Sequence, residues 1–135
     1  MSRTVLIATK SPFAEDARNQ AVEIIQEAGH AATVLERYAS REELVAAVAE
    51  ADALIVRSDK VDAELLDAAP KLTLVIRGGA GYNNIDVEAC TARNIIVMNT
   101  PGQNSNAVSE LAVTLLLGLY RLLVPADTST KAGEF

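Results

Sequence analysis

Leu72-Thr73-Leu74-Val75-Ile76-Arg77-Gly78-Gly79-Ala80-Gly81-Tyr82-Asn83-Asn84-Ile85-Asp86 is the stretch whose reading decides the fold. Its first five residues are apolar enough for a buried strand, which ends at Arg77 and passes directly into a glycine-rich loop. Downstream, Ile85–Arg93 reads as a short helix and Ile95–Met98 as another strand. Asn99-Thr100-Pro101-Gly102 then breaks the pattern, and a long helix is predicted from about Asn104 to Leu123. Upstream, Pro70 stops a short helix over Asp62–Ala69, and Ala53–Val56 forms a strand that ends at Arg57-Ser58. Before that, Ser40 and Glu43 form a capping box for a helix that turns Leu44, Ala47 and Val48 inward. Ala32–Leu35 and Val5–Ala8 complete the strands. Between them Phe13, Ala17, Ala21, Ile24, Ile25 and Ala28 recur at helical spacing until Gly29 closes the helix.

Strand and helix thus alternate five times, and the strands are short apolar runs. Such strands pair in parallel with helices on both faces. The expected class is α/β, a flavodoxin-like five-stranded parallel sheet in the order 2-1-3-4-5. Residues 1–103 form one domain in this reading, 104–124 a long helix, and 125–135 a small, polar linker.

Composition narrows the partners. Half of the 135 residues are hydrophobic and 22% are charged, as in a packed globular domain. The net charge of −6, without any basic run, argues against nucleic acid or an anionic membrane. Cys90 is the only cysteine, so no internal disulfide is expected. The longest nearly uncharged apolar stretch, Leu111–Tyr120, is far shorter than the roughly 20 residues that span a bilayer. Thr4–Thr9 is too short for a leader and reads as a strand, so a cytoplasmic protein is the expectation.

Ligands of open parallel sheets bind outside the carboxyl ends of the strands. The tips here do not suit a phosphoacceptor receiver domain, because Arg57-Ser58 stands where an aspartate is needed. They do not suit a flavodoxin either, since Thr9-Lys10-Ser11-Pro12 offers no glycine for a phosphate loop. Gly79-Ala80-Gly81-Tyr82-Asn83-Asn84 reads G-x-G-x-x-N, one glycine short of the dinucleotide motif. The next strand ends at Asn99-Thr100, without the carboxylate that would bind a ribose, so the loop is rejected as a dinucleotide site. What remains is a pair of arginines, Arg57 and Arg77, at the ends of two strands predicted to be neighbours. Guanidinium forks read carboxylate and phosphate, and glycines let backbone N–H groups approach a small anion. Asn104 adds a hydrogen-bonding side chain at the positive end of a helix. The site is therefore read as one for a small anionic substrate, and no residues are read as metal ligands.

These residues resemble the substrate-domain pattern of the D-isomer-specific 2-hydroxyacid dehydrogenases. Ile55-Val56-Arg57-Ser58 and Ala63–Ala69 precede Arg77-Gly78-Gly79-Ala80-Gly81-Tyr82-Asn83-Asn84-Ile85-Asp86, which is similar to that family's R-x-G-x-G-x-x-N-(IV)-D segment. Asn99-Thr100-Pro101 with Val108-Ser109-Glu110 resembles its N-x-P…V-A-E stretch, with Ser109 where alanine is usual. The resemblance implies a two-lobed enzyme that oxidises a 2-hydroxy acid with NAD. It places the substrate carboxylate on the backbone of Gly78, Gly79 and Gly81 and an anionic tail on Arg57 and Arg77, with Ser58 and Ala80 in the same substrate-binding set. Asn104 would face substrate and cofactor in the cleft. The cofactor lobe, with the family's catalytic Arg, Glu and His, should lie beyond Phe135, so the chain reads as a truncated piece that does not turn over substrate alone. Hydride transfer needs a bound nicotinamide and an acid-base group.

Other residues are read more plainly. His30 is a helix-end residue, Cys90 packs a helix, Tyr82 is a rim aromatic, and Asp86 and Glu88 cap and charge the first turn of a short helix. The predicted long helix is apolar nearly all round, from Leu111 to Leu123, and wants burial on more than one side. Left uncovered, it should drive association into a homo-oligomer. A rival class is a free-standing anion-binding or regulatory module without catalysis, and the reading frame after Phe135 separates the two.

Overall fold

Short aliphatic runs form a sheet whose central strands are the most deeply buried. In the computed structural model, which describes residues 2–134, the strands are β1 (Thr4–Thr9), β2 (Ala31–Glu36), β3 (Ala53–Val56), β4 (Leu74–Arg77) and β5 (Ile96–Asn99). The helices α1 (Glu15–Glu27), α2 (Arg41–Val48), α3 (Ala63–Asp67) and α4 (Val87–Ala92) connect them. Every neighbouring pair of strands is parallel, in the order β2-β1-β3-β4-β5 that the sequence predicts. Ser40 and Glu43 make the expected capping box on α2, and the Asp62 and Asp86 carboxylates accept from the amides of Leu65 and Ala89.

The chain divides into two units, one ending at Pro101 and the other beginning at Gly102. The first holds the core. Leu6, Ala8, Leu54, Val56 and Val75 of the sheet pack with Leu44 and Val48 of α2, Leu65 and Leu66 of α3 and Cys90 of α4. Each large aliphatic side chain buried in this way contributes about 1.5–3 kcal/mol before entropy is counted. Burial also holds the Cys90 thiol above its usual pKa. The opposite face of the sheet is covered unevenly. Phe13 and, on α1, Ala17 and Ala21 lie over Ile7 and Ile55, yet no α1 residue is fully buried. Ile96 and Met98 of β5 remain exposed.

In the second unit, the single long helix expected over 104–124 is two helices, α5 (Ser105–Tyr120) and α6 (Leu123–Lys131), with axes 60° apart. The cause is Pro125. In a continuous helix its ring would strike the carbonyl of Arg121 and one hydrogen bond would be lost. Breaking the helix at Leu122, which turns left-handed at φ 51°, places Pro125 in the first turn of α6, where a missing N–H costs nothing. The stretch from 125 that reads as a linker is therefore helical as far as Lys131, and Phe135 lies outside the described residues. No single described helix is long and apolar enough to cross a membrane, although the bent pair passes that test of length and composition together.

Candidate functional site

The carboxyl ends of β3 and β4 bring two arginines together because the strands pair in register, Val56 opposite Arg77. Arg77 is the last residue of β4 and Arg57 the first after β3. Arg77 Nε donates to the Arg57 carbonyl at 3.0 Å, and Arg57 Nη1 donates to the Pro12 carbonyl at 3.0 Å, so both side chains have fixed anchor points. These anchors leave the other two guanidinium nitrogens of each arginine unengaged among the described residues. Ser58 follows Arg57 and is exposed.

The loop after Arg77 is pinned at several points. The Gly78 amide extends the ladder by donating to the Val56 carbonyl at 2.8 Å, and the Gly79 amide donates to the Arg77 carbonyl at 2.9 Å. Thr100 N donates to the Gly79 carbonyl, 3.1 Å, and Asn99 Nδ2 to the Ala80 carbonyl, 2.8 Å. Asn84 Nδ2 donates to the Asp59 carbonyl at 2.8 Å, which fastens the far end of the loop to the tip of β3. Among the described residues, the amides of Ala80 and Gly81 find no acceptor in the chain. The Ala80 and Gly81 amides, like those of Tyr82, Asn83 and Asn84 further along the loop, are thus unengaged among the described residues, while those of Gly78 and Gly79 are spent on the fold. Gly78 has no side chain for a steric reason, since a Cβ there would lie 2.8 Å from Phe13 Cε1.

Asp59 is a residue that sequence reasoning missed. A charged residue just after a strand tip reads as solvated, yet Asp59 is only 7% exposed. Its Oδ1 accepts from the Lys10 amide at 2.8 Å and from the Tyr38 hydroxyl, so it ties together the tips of β1, β2 and β3. Burial, reinforced by the hydrogen bond and charge of Asp59, pushes the Tyr38 phenol well above its ordinary pKa and keeps it a neutral donor. Asn84 and Asn99 had a weak signal, as amides bracketing a glycine loop, but their carbonyl partners are set by tertiary structure. Asn104 belongs to the second unit, where it is the N-cap residue of α5 and makes no capping hydrogen bond with its side chain. His30 is not at the strand tips. Its Nδ1 accepts from the Arg3 amide at 3.4 Å, beside the start of β1. Tyr82 is exposed at the rim.

The residues around the loop do not fit a dinucleotide. α4 has only six residues and carries Asp86 at its cap and Glu88 in its first turn, which repel a pyrophosphate. β5 ends at Asn99, with no carboxylate for a ribose. A compact anion suits the site better. Backbone amides and two guanidinium forks at neighbouring strand tips can hold two separate negative groups on one small molecule.

Comparison with known proteins gives the family. The profile described as D-isomer specific 2-hydroxyacid dehydrogenase, catalytic domain, matches residues 8–133. A D-3-phosphoglycerate dehydrogenase of Mycobacterium leprae is 52% identical over 93 residues, 68% of this chain and 18% of that protein. A glyoxylate reductase of Thermococcus litoralis is 46% identical over 93 residues, 68% of this chain and 28% of that protein. The crystal structure of NAD+-bound 3-phosphoglycerate dehydrogenase from Entamoeba histolytica superposes with a TM-score of 0.82 at 43% identity, covering 87% of this chain and 39% of that one. The chain therefore spans less than a third of each of these curated relatives. Its motifs, its sheet order and a profile match over nearly its whole length agree that the chain belongs to the D-isomer-specific 2-hydroxyacid dehydrogenases.

Proposed function

We propose that this chain is the substrate-binding lobe of an NAD-dependent D-2-hydroxyacid dehydrogenase whose substrate is 3-phosphoglycerate, oxidised at its 2-hydroxyl to 3-phosphohydroxypyruvate on the route to serine. The observation that carries the reading is the juxtaposition of Arg57 and Arg77 at paired strand tips, beside the unengaged amides of Ala80 and Gly81. A ligand with a carboxylate at one end and a phosphate at the other uses both sets of donors. The carboxylate takes the Ala80 and Gly81 amides, at the loop that Gly78 and Gly79 build. The phosphate takes the guanidinium forks, with the Ser58 hydroxyl as a further donor.

The lobe supplies binding and orientation, and NAD belongs to the remainder of the two-lobed enzyme. No residue of this chain is assigned a catalytic role. His30, the one imidazole, accepts a backbone hydrogen bond at the amino end of β1, away from the strand tips. The chain alone is accordingly proposed to bind without turnover, in the cytoplasm, and to associate through the apolar surface of α5.

Isothermal titration of the chain with 3-phosphoglycerate, glycerate and NAD tests this. The expected result is weak binding of 3-phosphoglycerate, weaker binding of glycerate and none of NAD. Arg57→Ala and Arg77→Ala should each weaken phosphoglycerate by roughly tenfold or more, as expected for a charged hydrogen bond worth about 1.5–3 kcal/mol. Binding of NAD, or phosphoglycerate binding indifferent to both substitutions, would sink the proposal.

A further inference from the structure

Glycine at position 79 is not explained by its backbone. Its φ is not positive, unlike that of Gly29, Gly102 and Gly133, so any L-residue could adopt the conformation. Nor is its amide free for a ligand, being bonded to the Arg77 carbonyl. The reason lies in what a side chain would meet. A Cβ built on Gly79 would sit 1.5 Å from Arg77 Nη1, 2.5 Å from Cζ and 3.2 Å from Nε, and these are the three nearest atoms. The guanidinium of Arg77 therefore lies across the bare backbone of Gly79, with Nε anchored on the Arg57 carbonyl at 3.0 Å.

We propose that Gly79 is a specificity-determining residue which acts through Arg77: the missing side chain leaves a bed for the guanidinium and so places a positive fork beside the unengaged amides of Ala80 and Gly81. Any side chain at 79 displaces the flexible end of Arg77 rather than the backbone, because nothing rigid stands as close. A site without the bed keeps its anion-binding amides and loses its second charge at the right place. It then reads a plain 2-hydroxy monocarboxylate nearly as well as one with an anionic tail. The ligand preference rests on the function proposed above, whereas the placement of the guanidinium does not.

The test uses this chain as wild type, Gly79→Ala, Arg77→Ala and the double variant. In wild type, the Arg77 Nε–H resonance followed by nitrogen-15 NMR should exchange slowly with water. In Gly79→Ala it should exchange like a free guanidinium, with the amides of β3 and β4 unchanged. The preference for 3-phosphoglycerate over glycerate should fall roughly tenfold in Gly79→Ala, about 1.4 kcal/mol. It should fall similarly in Arg77→Ala and no further in the double variant, since the two residues act as one. If Gly79→Ala lowers the melting temperature, adding Arg77→Ala should restore it, because the Cβ then has nothing to strike. Additive effects in the double variant, failure of that rescue, or an Nε–H unaffected by Gly79→Ala would overturn the inference. A wild type that prefers neither ligand, with an Nε–H that Gly79→Ala still releases, would end the phosphoglycerate reading and uphold the placement.

Discussion

Leu54 in β3 is fully buried, and Leu119 in α5 is 74% exposed, although both sit in strongly apolar stretches of one chain. The contrast holds for the units they belong to. The unit ending at Pro101 buries its aliphatic residues in one cluster around the sheet, while α5 and α6 contain no buried residue at all. Hydrophobicity alone therefore does not tell which residues hold a fold together. What separates the two regions is the chance to pack within the chain: a sheet sandwiches its strands, whereas a helix that is apolar all round needs neighbours on several sides.

The comparison can be broken in three places. The largest effect is expected for Leu54→Ala, which should cost about 2–5 kcal/mol in urea unfolding of the chain. A cost under 1 kcal/mol would mean that the core is looser than its burial suggests. Tyr38→Phe should cost less, about 1–3 kcal/mol, by leaving the buried Asp59 carboxylate short of a donor. It also carries a pH signature. Because the folded-state pKa of Tyr38 is raised above its ordinary 10.0, the folded chain holds the phenolic proton more tightly than the unfolded chain does. Its contribution is complete below pH 10 and is lost as pH rises beyond it, so melting temperatures taken from pH 8 to 11 should fall more steeply for wild type than for Tyr38→Phe. Equal slopes would place the phenol outside the buried network. The smallest effect on stability, within about 0.5 kcal/mol, is expected for Leu119→Glu on the exposed face of α5. That same variant should reduce self-association in sedimentation velocity, and a loss of fold stability instead would show that α5 is covered by its own chain.

The parts that were legible in the sequence share a cause. Sheet order, capping box and the pairing of Arg57 with Arg77 all follow from local pattern and from the rule that parallel strands keep register. The illegible parts depend on contacts between segments distant in the chain. Which loop amides remain free is decided by the Val56 and Arg77 carbonyls, which take the Gly78 and Gly79 donors and leave Ala80, Gly81 and the residues that follow. The burial of Asp59 is decided by Tyr38, twenty-one residues away. Pro125 reads locally as a helix stop, and it is instead the first-turn proline of a second helix, a placement that depends on the left-handed turn at Leu122. The exposure of Ile24 on α1, which the helical period places inward, reflects how little of the second sheet face that helix covers.

The fastening of the glycine loop carries a consequence of another kind. Thr100 and Asn99 hold the Gly79 and Ala80 carbonyls from β5, and Asn84 holds the Asp59 carbonyl at the tip of β3. With its carbonyls clamped on one side, the turn at Ala80 and Gly81 points its amides outward before any ligand arrives. The ordering entropy of that turn, about 1–2 kcal/mol for each residue fixed, is surrendered when the sheet folds and not when an anion binds. On the function proposed above, affinity at this loop is a property of the sheet, and damage to β5 would be felt as weaker binding by a ligand that never touches it.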